Sequence, residues 1–224
     1  MRCRPCARRG QPDMRAPARS LHSPARAVSP DAAAFPRGTG TRNRATGAPP
    51  PMHVVLFGAG HVGHALVTLL GALPCTVQWV DTRDELFPDE CPPNVQPEPT
   101  DTPEAIVDAA PPGTYFLVMT HNHALDFALA EQIMRRRDFA YFGMIGSRTK
   151  RVKFERRLAA RGVDPARLVE MVCPIGVAGI VDKAPGSIAV AVCAELLQVR
   201  AGMPVAGAKA AAASAARDDA CCLR

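Results

Sequence analysis

The sequence predicts an α/β protein: a doubly wound, mostly parallel sheet flanked by helices, preceded by a disordered N-terminal tail. Three observations carry that expectation. From His53 onward, short β-branched or apolar runs alternate with stretches of helical period, the rhythm of a parallel sheet with helical crossovers. The central runs are apolar at successive positions, as strands are when helices cover both faces. The first run then breaks into glycines spaced G-x-G-x-x-G and continues as a helix-period segment.

Taken in order, strands are expected at 54–58 (VVLFG), 76–81 (TVQWVD), 94–98 (NVQPE), 115–120 (YFLVMT) and 140–146 (AYFGMIG). Helices are expected between and after them, at 61–72, 102–109, 123–137, 147–161 and 185–200. In the third helix Leu125, Leu129 and Ile133 recur at i+4 and form a core stripe, which leaves Arg135, Arg136 and Arg137 for solvent. Before the last helix, Pro174, Gly176 and Gly179 describe a shaped loop rather than a strand, and Pro185 precedes the helical start. No repeat of 20 to 50 residues is visible.

The chain divides by composition. Residues 1–51 contain ten arginines and two acids (Asp13, Asp31), are rich in Pro, Ala, Gly and Thr, and lack periodicity, which is the composition of disorder. Residues 52–200 form the globular domain, and the Ala-rich residues 201–224 are expected to fray. The tail dominates the formal charge of +6. It leaves 17 of the 27 basic and 19 of the 21 acidic residues to the remainder, which is therefore slightly acidic. A nucleic-acid partner is not indicated, because the basicity sits in the tail without interleaved aromatics.

The tail is Arg-rich and acid-poor like a targeting peptide but has no apolar segment of the kind secretion requires. It reads as a floppy extension, or as the product of a start placed upstream of a true one near Met52. No stretch approaches the roughly 18 apolar residues of a membrane span. Eight cysteines give no convincing zinc or disulfide pattern. Cys3 and Cys6 form a lone C-x-x-C in the tail, and Cys75, Cys91, Cys173 and Cys193 are scattered singly, as reduced thiols of a cytoplasmic protein are.

Gly58, Gly60 and Gly63 supply the glycine turn. In a dinucleotide site Gly58 would permit the tight bend, Gly60 the approach of a pyrophosphate, and Gly63 close helix–strand packing, with the free amides and the helix dipole favouring an anion. Asp81, about 20 residues on and at the end of the second strand, would accept from ribose hydroxyls and repel a 2′-phosphate. This is a Rossmann-like arrangement. His61, at the helix start, either hydrogen-bonds a phosphate as a neutral imidazole or is simply a partly exposed helix-start histidine.

A second group lies at the ends of the later strands. Thr120, His121 and His123 leave the fourth strand, with Asp126 early in the next helix. The H-x-H spacing lacks a third ligand, so no metal is expected and polar helix capping is the plainer reading, with ligand gating or catalysis by His121 left open. A third group is Gly146, Ser147, Arg148 and Lys150. Cations at a helix N-terminus oppose its dipole, so they either receive an anionic ligand together with Ser147 or belong to a solvated basic face.

The segments FGAGHVGHALV, WVDTRDELFP, VMTHNHALD, YFGMIGSRTKRVKFERRL and CPIGVAGIVDKAPGSIAVAVCAELL, in that order over roughly residues 53–199, resemble the xanthine dehydrogenase accessory proteins of the XdhC/CoxI type. The resemblance implies a non-enzymatic maturation factor that binds the molybdenum cofactor while a cysteine desulfurase assists its sulfuration. It also implies delivery to xanthine dehydrogenase or a related molybdenum hydroxylase. Molybdopterin carries a phosphate, or a pyrophosphate in its dinucleotide forms, and either suits a glycine turn. The expected cofactor residues are Gly58, Gly60, His61, Gly63, Asp81, Thr120, His121, Gly146, Ser147, Arg148 and Lys150, with no catalytic residue and no protein-bound metal.

Full-length members of the family carry a further domain before the Rossmann-like one, with a cysteine associated with cofactor binding. The tail stands in its place here, so a truncated or early-started member is expected, and dimerisation is an expectation of the resemblance alone. The alternative function is an NAD-dependent oxidoreductase or an NAD-sensing module. A dehydrogenase would require an acid/base group near the nicotinamide, for which only His121 and Lys183 offer themselves.

Overall fold

The computed structural model describes residues 50–203, so the expectations for the N-terminal tail and for most of the Ala-rich end lie outside the described residues. Six strands form one sheet in the order β3-β2-β1-β4-β5-β6. They are β1 (Met52–Phe57), β2 (Cys75–Asp81), β3 (Val95–Pro99), β4 (Tyr115–Val118), β5 (Tyr141–Met144) and β6 (Met171–Val172), and every neighbouring pair is parallel. The helices are α1 (His61–Leu70), α2 (Pro103–Ala109), α3 (His123–Arg135), α4 (Arg148–Ala160) and α5 (Pro185–Arg200). Short 3-10 turns at Asp84–Leu86 and Pro165–Glu170 complete the connections. This is the doubly wound Rossmann-like architecture.

The two-residue period of a strand explains why the sheet is apolar on both sides. Val54 and Leu56 of β1 point into a core shared with α1 and α5, where they meet Val77, Trp79, Leu117 and Val192. Val55 and Phe57 point the other way, into a core with Val107 of α2, Leu129 and Ile133 of α3, and Phe154 and Leu158 of α4. Burying such side chains contributes roughly 1.5–3 kcal/mol each, set against the chain entropy lost in ordering them.

The expected core stripe of α3 needs two corrections. Leu129 and Ile133 are fully buried, but Leu125, in the first turn of α3, is only half-buried. The trailing arginines also do not share one fate: α3 stops at Arg135, and Arg136 folds back over Phe116, with its Nε 2.9 Å from Asp138 and its Nη1 on the Val107 carbonyl. The fifth strand is shorter than the apolar run suggests. Its ladder ends at Met144, after which Ile145 donates its N–H to Val118 O at 2.9 Å and the chain turns away. β6 is not among the expected strands, since two paired residues leave no readable period.

The strand order reverses between β1 and β4, with β2 and β3 on one side and β5 and β6 on the other. Loops from the two halves diverge there, opening a crevice at the carboxyl ends of the strands.

Candidate functional site

The crevice is framed first by the glycine turn. Gly58 takes φ +121°, and a Cβ on it would stand 2.4 Å from the Met119 carbonyl oxygen, so both its backbone conformation and the neighbouring strand exit require glycine. A Cβ on Gly63 would stand 2.2 Å from Gly58 O, which brings α1 onto the end of β1 at a separation that excludes side chains. The indole of Trp79 fixes the same carbonyl, its Nε1 donating at 3.1 Å. His64 stacks edge-on against Trp79 and bonds the Leu86 carbonyl at 2.8 Å, which ties α1 to the turn after β2.

Gly60 differs from both. Its dihedrals, φ −80° and ψ −174°, suit any residue, and a Cβ there would meet nothing within 4 Å. It is the N-cap of α1, with no side-chain cap on the helix and no acidic residue in the first turn. The first amides of α1 thus lack an intrahelical partner and a cap, beside open space. His61 is exposed at this end.

Not every amide of the bend faces outward. Gly58 N–H donates to Val80 O at 2.8 Å, and Ala59 N–H donates to Asp81 Oδ2 at 2.7 Å. Asp81 was expected to face a ribose, yet both its oxygens are engaged internally. Oδ1 accepts from the Arg83 N–H at 3.1 Å and from Arg83 Nε at 2.9 Å, and Oδ2 accepts from Arg83 Nη2 at 3.0 Å as well as from Ala59. Burial pushes the Asp81 carboxyl up, but the Arg83 guanidinium and the two backbone N–H groups more than offset it and hold the carboxyl below its ordinary value.

A shallow cleft runs from this turn across the ends of β1, β2 and β4. Phe57, Val80 and Leu125 give it an apolar floor, and Asp81, Thr120 and His121 stand at its rim. The structure therefore brings Asp81 and the Thr120–His121 pair to one cleft, next to Gly58, while Gly60 and Gly63 belong to the α1 side of the bend.

Beyond Thr120 lies a polar knot. Asp126 is fully buried, and its Oδ1 accepts from the Thr120 N–H at 3.2 Å and the Thr120 hydroxyl at 2.7 Å. Its Oδ2 accepts from Lys150 Nζ at 2.6 Å, and Lys150 also donates to the Ile145 carbonyl at 2.9 Å. Lys150 therefore turns inward, whereas an anion-receiving role would have it reach out from α4. Ser147 caps α4, its Oγ accepting from the Lys150 N–H at 3.2 Å, and Arg148 is exposed. Gly146 leaves room for the fold of Lys150: a Cβ there would lie 2.6 Å from Lys150 Cδ and 3.1 Å from Cys173 Sγ. Cys173 is buried, and burial pushes its thiol up to about 11 despite Lys150 and Arg151 nearby.

His121 and His123 are both exposed, and α3 is capped by Asn122, whose Oδ1 accepts from the amides of Ala124 and Leu125. Among the described residues, no group of three or more His, Cys, Asp or Glu side chains is placed to hold a metal ion, and no helix is long and apolar enough to cross a membrane. Arg83 and the Asp126–Lys150 pair escape the sequence reading. Arg83 lies just outside the strand signal, and the pair spans 24 residues with no local pattern to join them.

Comparison with known proteins agrees with this architecture. The family model of the XdhC Rossmann domain matches residues 54–196. The uncharacterized protein YqeB of Escherichia coli (strain K12) is 31% identical over 157 residues, a stretch that takes in 67% of this chain and 28% of that protein. A solved structure of a xanthine dehydrogenase from Bacillus halodurans has the same fold, with a TM-score of 0.58 and 23% identity over 70% of this chain and 44% of its own. The chain thus spans less than half the length of each of these two relatives.

Proposed function

The chain belongs to the XdhC family through its Rossmann domain, and from that premise we propose that it is a non-catalytic accessory protein that holds the molybdenum cofactor for a xanthine dehydrogenase-type enzyme. The observation that carries this reading is the uncapped start of α1: N-terminal amides beside Gly60, where no conformational demand calls for glycine and open space meets the backbone. A phosphate at that point would accept from the amides near Gly60 and His61 and gain from the helix dipole. The cofactor, when bound, supplies the molybdenum centre that the recipient hydroxylase uses. This chain's residues bind and orient it.

The cleft beside Thr120 and His121 then shields the ligand, and the Asp126–Lys150 knot fixes the loop that carries them. Gly146, Ser147 and Arg148 border the same end of the sheet. A cysteine desulfurase and the recipient hydroxylase are the partners this role requires, and the family reading extends to a homodimer in the cytoplasm.

Mass spectrometry of the small molecule that copurifies under anaerobic conditions tests the reading. A molybdopterin species is expected with the wild-type chain and is lost from Gly60→Val. Recovery of NAD in its place would favour the NAD-sensing alternative, and an unchanged yield from Gly60→Val would remove the glycine turn from the site.

A further inference from the structure

We infer that Arg83, rather than Asp81, reads the ligand beside the glycine turn, and that it selects a ligand presenting a phosphomonoester there over one presenting a free ribose diol. This rests on the reading of the α1 start as a phosphate cradle, and it specifies the chemistry of the group next to that cradle.

An ionised carboxylate has about four lone-pair positions. In Asp81 four donors take them: Ala59 N–H, Arg83 N–H, Arg83 Nε and Arg83 Nη2, at 2.7 to 3.1 Å. Asp81 is only 7% exposed. A ribose diol must donate to the carboxylate at the end of β2, and here it would have to displace either the bidentate guanidinium or the amide that shapes the bend.

The guanidinium is different. Its Nε and one Nη2 hydrogen serve Asp81, whereas the Nη1 pair and the second Nη2 hydrogen have no partner among the described residues. The side chain is 32% exposed, and Glu85, itself exposed, is the other carboxylate whose charge it feels. Nη2 shares Asp81 Oδ2 with Ala59 N–H, so the guanidinium stands directly beside the glycine turn. Held at Nε and Nη2, its plane is fixed, which suits the remaining N–H groups to the oxygens of a phosphomonoester. Neutralisation by Arg83 also removes the repulsion that a bare Asp81 would exert on such a group.

A phosphomonoester here could belong to a 2′-phosphorylated nucleotide or to the pterin itself, and the test separates the two. Affinities of 2′,5′-ADP, 5′-AMP and a pterin with a side-chain phosphomonoester are measured by calorimetry on the full chain, on Arg83→Gln and Arg83→Lys, and on Gly60→Val. The expected result is at least a tenfold preference for 2′,5′-ADP over 5′-AMP. That preference is abolished in Arg83→Gln and reduced in Arg83→Lys, which keeps the charge but loses the fork. Binding of the pterin phosphate alone, weakened in both Arg83 variants, would support the inference with the pterin as the source.

Equal binding of the two nucleotides, or a preference that survives Arg83→Gln in a variant with unchanged melting temperature, overturns it. Should Arg83→Gln fail to fold, Arg83→Lys decides by the same comparison. Failure of every probe to bind, or binding indifferent to Gly60→Val, would instead refute the cradle and the inference with it.

Discussion

Replacing Gly60 by aspartate should move stability and ligand binding in opposite directions. The residue is an N-cap with extended backbone dihedrals, and its Cβ would enter open space, so the substitution introduces no clash. A carboxylate there accepts from the unpaired amides of the first turn. Asp in place of Gly at an N-cap contributes a few tenths of a kcal/mol, and its charge at the dipole contributes about 0.3–1 kcal/mol more. A total on the order of 1 kcal/mol corresponds to a rise of about 2–4 °C in Tm for a domain of this size.

The same carboxylate occupies the position proposed for a phosphate and repels it. Like charges about 4 Å apart near a protein surface cost on the order of 4 kcal/mol, enough for a loss of at least about 100-fold in affinity. The assay is thermal melting with and without inorganic pyrophosphate, which should raise the Tm of the wild type by mass action and leave Gly60→Asp unmoved. Gly63→Ala is the control, because its Cβ would sit 2.2 Å from Gly58 O and must push α1 off the sheet, at a cost of about 1–3 kcal/mol. A lower Tm for ligand-free Gly60→Asp, or pyrophosphate stabilisation retained by it, would refute the cradle.

Two further outcomes rest on buried ionisable groups. Asp126→Ala should destabilise the protein by about 3–5 kcal/mol in urea unfolding, because it strands the Lys150 ammonium beside the sheet, and Asp126→Leu combined with Lys150→Met should recover most of that loss; a single-variant effect below about 1 kcal/mol would mean the pair is solvated. Burial raises the thiols of Cys75, Cys173 and Cys193 from an ordinary 9.0 to about 11. Between those values the unfolded chain releases protons that the folded one keeps, so stability is intact below pH 9 and falls as the pH climbs through 11, and a melting temperature that stays flat across that range would contradict it.

The parts of the molecule that were legible in the sequence are those set by local period and local glycine demand. The apolar runs of β1 and β4 and the glycine spacing announce themselves because each depends on residues a few positions apart, and Gly58 and Gly63 take the bend and packing positions their spacing suggested. What was not legible depends on which distant side chains reach one another. Asp81 sits where the motif places a ribose acceptor, but Arg83, two residues later, curls back onto it, and nothing in the residue types distinguishes an open carboxylate from a clamped one. Lys150 likewise reads as a cation at the start of a basic helix, offered either to an anionic ligand or to solvent. Only the sheet order, which sets β4 beside β5, brings α4 close enough for its ammonium to reach the buried Asp126 of α3. In both places a charge that pattern alone assigns to a ligand is first claimed by an internal partner. The proposed site therefore draws on groups those partners do not consume, among them the α1 amides beside Gly60 and the outward N–H groups of Arg83.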